Sequence, residues 1–151
     1  MSTSINTWDL RWLRLADLIG SWSKDRSRTV GCVFVGGANE ILSTGYNGFP
    51  RGVDDDLDER HAKPQKYDWT EHAERNAIYN AARTGVILKG SEVFTSRFPC
   101  VACARAIIQV GVTAVITRPP DMNHPRWGRE FVLSTVMFEE VGVALRLVDE
   151  V

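Results

Sequence analysis

The sequence predicts an α/β fold, a three-layer α/β/α sandwich around a central five-stranded mixed sheet. Two features predict it: short apolar and β-branched runs alternate with longer segments of helical periodicity, and two of the runs follow each other near the start of the chain. Strands that alternate with helices favour parallel pairing with helices on both faces, whereas two consecutive strands form an antiparallel hairpin. The predicted order is α-β-β-α-β-α-β-α-β.

The first half of the chain supplies a helix, a hairpin and a second helix. Spacings of three and four residues place five apolar side chains on one stripe of an amphipathic N-terminal helix, namely Trp8, Trp12, Leu15, Ile19 and Trp22. Residues 30–35 and 41–44 read as short strands with a glycine-containing turn between them. Thr70 can cap a helix that runs to about Arg83 and ends at Gly85.

The second half alternates strands and helices. A strand over 92–96 comes first, because its apolar residues lie between polar turns. The remaining predicted elements are a helix over 100–110 that Pro99 opens, a strand over 112–117, a helix over 127–141 that Gly142 ends, and a strand over 143–148.

Composition limits the class of protein. The 151 residues are 44% hydrophobic and 25% charged with a formal net charge of −1, which predicts one soluble globular domain over residues 1–151. No apolar run reaches the length of a membrane span. The near-neutral charge disfavours an extended nucleic-acid contact and favours a small-molecule substrate. Three cysteines and no secretion signal at the N-terminus predict the reducing cytoplasm.

An acidic segment over residues 51–66 is expected to be a long exposed loop. It is either a lid or binding loop or a solvated insertion, and its carboxylates are Asp54, Asp55, Asp56, Asp58 and Glu59. The next residues, 67–69, are candidates to close over a pocket. His61 and His124 are expected in surface loops and Cys32 in the core, so a second metal site is not expected.

The strings His-x-Glu and Pro-Cys-x-x-Cys carry the chemistry, and both stand at predicted helix N-termini. An imidazole (His72) and two thiolates (Cys100 and Cys103) suit zinc. Three protein ligands leave one coordination position for water, the pattern of a catalytic site, and Glu74 would then move protons. The alternative is a structural half-site that Cys32 or His61 completes. The joint occurrence of the two strings, with a strand between them, favours a zinc nucleobase deaminase.

With these strings the chain resembles the cytidine deaminase superfamily, and within it the deoxycytidylate (dCMP) deaminases. The resemblance covers about residues 23–148 and is carried by segments 23–31, 45–50, 72–78, 98–104 and 107–109. It implies the cytidine deaminase-like fold and one zinc per chain on His72, Cys100 and Cys103. It also implies hydrolysis of dCMP to dUMP and ammonia, a precursor supply for thymidylate synthesis, with Glu74 as the proton shuttle.

The resemblance also implies substrate contacts. The backbone N–H of Ala73 would meet the ring carbonyl, Asn47 would bind the sugar or orient the substrate, and Phe98 would pack near the base. Arg26 or Arg28 would bind the phosphate. The segment departs from the family pattern at Arg26, where a proline commonly follows the aspartate, and this leaves open which arginine serves.

Regulation and assembly are further expectations. Some dCMP deaminases are hexamers controlled by dCTP with Mg²⁺, and a cluster of Arg118, Arg126 and Arg129 could serve such a nucleotide or be an ordinary solvated rim. The tryptophan-rich first helix suggests a homo-oligomer, a dimer or a hexamer.

Other substrates and one other class stay open at this point. The rival substrates are dCTP, cytidine, guanine, a riboflavin precursor and a tRNA adenosine, of which the net charge disfavours the last. Enzymes for free nucleosides usually have a cysteine where this chain has His72. A non-catalytic zinc-stabilised binding module is the rival class, and it would have no use for Glu74.

Overall fold

A computed structural model describes residues 6–149 and confirms the α/β/α sandwich. The helices are α1 (Thr7–Gly20), α2 (Asp58–His61), α3 (Lys66–Trp69), α4 (Ala73–Thr84), α5 (Val101–Gln109) and α6 (Gly128–Val141). The strands are β1 (Gly31–Val35), β2 (Ile41–Tyr46), β3 (Glu92–Thr95), β4 (Ala114–Thr117) and β5 (Ala144–Leu147).

The five strands form one mixed sheet in the order β2-β1-β3-β4-β5. Strand β1 pairs antiparallel with both β2 and β3, whereas the β3–β4 and β4–β5 pairs are parallel. This pairing places the end of β3 beside the start of β1, with Thr95 opposite Cys32. The sheet therefore brings the start of β1 next to the end of β3, and the Pro-Cys-x-x-Cys string follows β3 directly.

Both faces of the sheet are covered by helices, as predicted. Cys32 and Phe34 pack in one cluster with residues of α4, α5 and α6, and Val33 and Val35 pack in another with Leu13 and its neighbours on α1. This alternation is the two-residue period of a strand that is buried on both faces. None of the helices within residues 6–149 is long and apolar enough to span a bilayer.

The predicted stripe of α1 is partly wrong. The residues that face the sheet include Leu13, Ala16 and Ile19, whereas Trp8 and Trp22 are 46% and 57% exposed. The α1 backbone lies so close to β1 here that a Cβ at Gly31 would overlap the carbonyl oxygen of Ala16. Trp12 is the stripe tryptophan that packs on the sheet, with its ring centre 6.2 Å from that of Phe94.

The segment before α4 also differs from the prediction. The acidic stretch contains the short helix α2, and Lys66 at its end is buried rather than exposed. Thr70 ends α3 instead of capping α4, and the residue that caps α4 is His72. Glu71 pairs with Gly48 in an isolated bridge, with N–H to O distances of 3.0 and 2.8 Å, and this bridge fixes the chain that enters the helix.

Candidate active site

Two helix N-termini converge on the end of β3. His72 is the residue that caps α4, Cys100 is the residue that caps α5, and Cys103 lies in the first turn of α5. Backbone N–H groups in the first turn of a helix have no partner within the helix and favour negative charge. The position therefore stabilises thiolates.

The three side chains form a ligand set for one metal ion. Nδ1 of His72 lies 3.3 Å from Sγ of Cys100 and 3.5 Å from Sγ of Cys103, and the three ligand atoms lie within 4.8 Å of one another. Tetrahedral bonds of about 2.1 Å to nitrogen and about 2.3 Å to sulfur put such atoms roughly 3.5 Å apart. The donor set and its spacing fit zinc.

Neither suggested fourth ligand joins this set. Within the described residues, the one group of three or more metal-binding side chains consists of His72, Cys100 and Cys103. Cys32 is buried in the core, and the ring of His61 stacks on Phe49 at 4.8 Å. A zinc ion held here would have three protein ligands, which is the arrangement of catalytic rather than structural zinc.

Hydrogen bonds among the three ligand side chains shift their pKa values. The contact between the two sulfur atoms lowers the pKa of the Cys100 thiol to about 4 and raises the pKa of Cys103, because the Cys103 thiol donates to the Cys100 thiolate. The hydrogen bond with Cys100 raises the pKa of His72. A bound cation would replace these shared protons.

Glu74 is the buried carboxylate beside the ligand set. Its side chain is 3% exposed, and its Oε1 accepts a hydrogen bond of 2.8 Å from Oγ1 of Thr95. Glu74 and His72 line the same cavity, whereas Glu74 is not part of the ligand set. Its position suits proton transfer to and from a molecule bound in that cavity.

Aromatic rings and charged side chains together line the cavity. Phe98 and Phe131 meet edge to face with their ring centres 5.5 Å apart, and Tyr67 and Trp127 supply the other aromatic surfaces. This is a surface on which a flat ring can pack. Tyr67 belongs to the segment 67–69 that the sequence offers as a candidate to close over a pocket, and that closing role stays a prediction.

Arg28 and Arg97 also line the cavity. Neither guanidinium forms an ion pair with a carboxylate among residues 6–149. Burial and the neighbouring Arg28 and Arg118 cations lower the pKa of Arg97. Positive charges held together in this way without an acid partner favour an anionic ligand.

Three of the predicted substrate contacts line the cavity, namely Asn47, Ala73 and Phe98. The Asn47 amide is also structural, because it accepts from the N–H of Val30 at 2.9 Å and donates to the carbonyl of Arg28 at 2.9 Å. An amide has two donor hydrogens and two lone pairs, so one of each remains for a ligand.

The other predicted arginines lie outside the cavity lining. Arg26 forms an ion pair of 2.8 Å with Asp58, and both side chains are exposed. Arg118 binds the carboxylate of Asp17 at 2.7 Å, and the guanidinium of Arg126 stacks on the ring of Tyr67 at 3.5 Å. Arg118 and Arg126 therefore have different neighbours, and of the two phosphate candidates only Arg28 lines the cavity.

The sequence reasoning missed Arg97, Thr95 and the partners of Asp25. Nζ of Lys66 lies 3.0 Å from both carboxylate oxygens of Asp25, and both residues line the cavity. Arg97 directly precedes Phe98, so the position next to the Pro-Cys-x-x-Cys string was the available signal. Nothing local in the sequence connects Thr95 to Glu74, which is 21 residues earlier.

The comparisons with known proteins agree with this geometry. The model of the cytidine and deoxycytidylate deaminase zinc-binding region matches residues 6–118. An uncharacterized deaminase of Aliivibrio fischeri is 42% identical over 144 residues, which are 92% of this chain and 92% of that protein. Deoxycytidylate deaminase of Homo sapiens is 35% identical over 144 residues, which are 92% of this chain and 78% of that protein.

A solved structure shares the fold over nearly the whole chain. The crystal structure of dCMP deaminase from the cyanophage S-TIM5 in complex with dCMP and dUMP matches with a TM-score of 0.75 and 25% identity, over 92% of this chain and 95% of that chain. The family model covers most of this chain and contains all three ligands and Glu74. The chain therefore belongs to the family of zinc-binding cytidine and deoxycytidylate deaminases.

Proposed function

We propose that this protein is a zinc-dependent hydrolase that deaminates dCMP to dUMP and releases ammonia. The proposal rests on one cavity that is lined by Glu74, by His72 and Cys100 of the ligand set, and by the two arginines, Arg28 and Arg97. Relatives named deoxycytidylate deaminase support dCMP as the substrate. Uracil nucleotide formed here is a precursor for thymidylate synthesis.

His72, Cys100 and Cys103 hold the metal in this proposal. When bound, zinc supplies the Lewis acidity that makes water acidic enough to act as a nucleophile near neutral pH. Glu74 accepts a proton from the attacking water and delivers it to N3 of the cytosine ring as the oxygen adds to C4. Glu74 then carries the remaining hydroxyl proton to the amine, the C4–N bond breaks, and ammonia leaves.

The other cavity residues bind and orient the substrate. The free N–H of Ala73 at the start of α4 would donate to the ring carbonyl, and Phe98 would pack against the base. The remaining N–H and lone pair of Asn47 suit a sugar hydroxyl. Arg28 and Arg97 would bind the 5′-phosphate, since guanidinium groups hold phosphate oxygens through paired hydrogen bonds.

We further propose that the chain is a single deaminase domain that acts in the cytoplasm as a homo-oligomer, a dimer or a hexamer. All described strands belong to one sheet, and the exposed rings of Trp8 and Trp22 support a self-association surface. Regulation by a nucleotide with Mg²⁺ stays a prediction. Adding dCTP and Mg²⁺ to the assay below tests it.

The test is ammonia release by the zinc-loaded protein from dCMP, CMP, dCTP and deoxycytidine. A cavity lined by two arginines predicts turnover of dCMP with kcat/KM at least about 100-fold above that of deoxycytidine, the ratio expected for loss of charged hydrogen bonds to the phosphate. Equal turnover of deoxycytidine would contradict the phosphate contact. If a protein with one zinc per chain turns over none of the four compounds, the assignment of dCMP as the substrate is wrong.

A further inference from the structure

Thr95 is the last residue of β3 and lies against the carboxylate of Glu74. Its side chain is completely buried, with Oγ1 2.8 Å from Oε1 of Glu74 and 3.0 Å from the backbone oxygen of Arg97. Among the described residues, Thr95 is the side chain that donates a hydrogen bond to Glu74. The antiparallel pairing of β3 with β1 fixes its position, because Thr95 stands opposite Cys32.

The Thr95 hydroxyl has one proton and two acceptors. It can donate to Glu74 or to the Arg97 carbonyl, but not fully to both at once. A carboxylate oxygen is a stronger acceptor than a backbone carbonyl, so we assign the hydroxyl proton to Oε1 of Glu74.

We propose that Thr95 is a positioning residue for Glu74. Its hydrogen bond occupies Oε1 and fixes the plane of the carboxylate, so that Oε2 is the oxygen that exchanges protons with water and the substrate ring. This inference rests on the proposed deamination, because it assigns Thr95 a part in the proton transfers of that reaction. It needs no contact between Thr95 and the substrate.

Substitution of Thr95 tests this role. T95V removes the hydroxyl and keeps a side chain of similar shape, and we expect kcat for dCMP to fall about 10- to 100-fold because the carboxylate loses its fixed orientation. KM for dCMP should stay within about twofold and zinc content at one per chain, because neither the metal ligands nor the arginines change. T95S restores the hydroxyl and should recover most of kcat.

Thr117 provides a matched control. It ends β4, is completely buried, and its Oγ1 has no hydrogen-bond partner in the described part of the chain. T117V is therefore the same change at the end of a neighbouring strand, without a link to Glu74. Its kcat should equal that of the wild type.

Each outcome decides the inference. Wild-type kcat in T95V, an equal loss in T117V, or no recovery in T95S would overturn it. If T95V loses zinc or its folded circular dichroism spectrum, T95A against T95S makes the same comparison, with T95A expected to lose kcat. A wild-type protein that leaves dCMP unchanged overturns the proposed function, a result distinct from an active wild type with an equally active T95V.

Discussion

The ammonium group of Lys66 lies 3.0 Å from each carboxylate oxygen of Asp25, and the side chains are only 9% and 6% exposed. Asp25 also accepts from the backbone N–H groups of Ser27 and Arg28, at 2.8 and 3.0 Å. The pair therefore joins the end of the acidic segment to the turn that places Arg28 at the cavity.

We predict that this pair makes part of the stability depend on pH. Burial acts to raise the pKa of Asp25, but the N–H groups of Arg28 and Ser27 and the Lys66 ammonium together lower it. A carboxyl group with a lowered pKa stabilises the fold above its unfolded pKa of about 3.9 and loses that contribution as pH falls through the folded value. Between about pH 6 and about pH 3, urea unfolding should show a larger loss of stability in wild type than in D25N. An equal loss of unfolding free energy in wild type and D25N over this pH range would contradict the prediction.

Removal of one partner of the pair should be costly. K66M leaves the buried Asp25 carboxylate without its cation, and we expect unfolding free energy to fall by roughly 2–4 kcal/mol at neutral pH. The double variant D25N/K66M should lose less than the sum of the two single variants, because neither charge is then stranded. Additive losses in urea unfolding would mean that the contact contributes nothing.

Two of the three cysteines belong to the metal-ligand set and the third is a core residue. Substitutions should distinguish these roles by their effect on zinc binding. C100S and C103S should weaken zinc binding by more than about 100-fold in a chelator competition. C32A should keep one zinc per chain, since Cys32 lies in the core cluster outside the ligand set. Loss of zinc from C32A, or its retention in C103S, would disprove the assignment.

We predict that Arg28 and Arg97 bind the 5′-phosphate of dCMP and make no contact that deoxycytidine needs. R28A and R97A should each raise KM for dCMP about 10- to 100-fold and leave the weaker turnover of deoxycytidine unchanged. R26A is the matched control, because Arg26 is exposed and pairs with Asp58 away from the cavity. Steady-state kinetics on both substrates checks this, and a larger effect of R26A than of R28A would reverse the assignment.

The zinc ligands and Glu74 were predictable from the sequence because each stands in a short string at a helix N-terminus. Residues three or four positions apart in a helical turn are neighbours in the fold, so such strings can be interpreted from the sequence alone. The positions of Thr95 and Arg97 beside the site were not predictable, because they depend on the β1–β3 register and on the path of the turn between β3 and α5.

The choice between Arg26 and Arg28 shows the same limit. Both arginines lie in one polar turn, and nothing in the neighbouring sequence distinguishes them. The structure gives them different neighbours, because Asp58 on α2 pairs with Arg26, whereas a hydrogen bond to Asp25 holds the backbone that carries Arg28. On the predicted stripe of α1, Trp12 packs partly buried against the cluster in which Leu13 and Ala16 are fully buried.

The deamination of dCMP and the part of Glu74 in it can be measured together, by following dCMP chromatographically with zinc-loaded wild type and E74Q side by side. Wild type should convert dCMP to dUMP with one ammonia per dUMP. E74Q should fold and keep one zinc per chain, but its kcat should fall at least about 100-fold, because the amide cannot carry the proton. Equal rates for the two proteins would contradict the role of Glu74, and no dUMP from zinc-loaded wild type would contradict dCMP deamination.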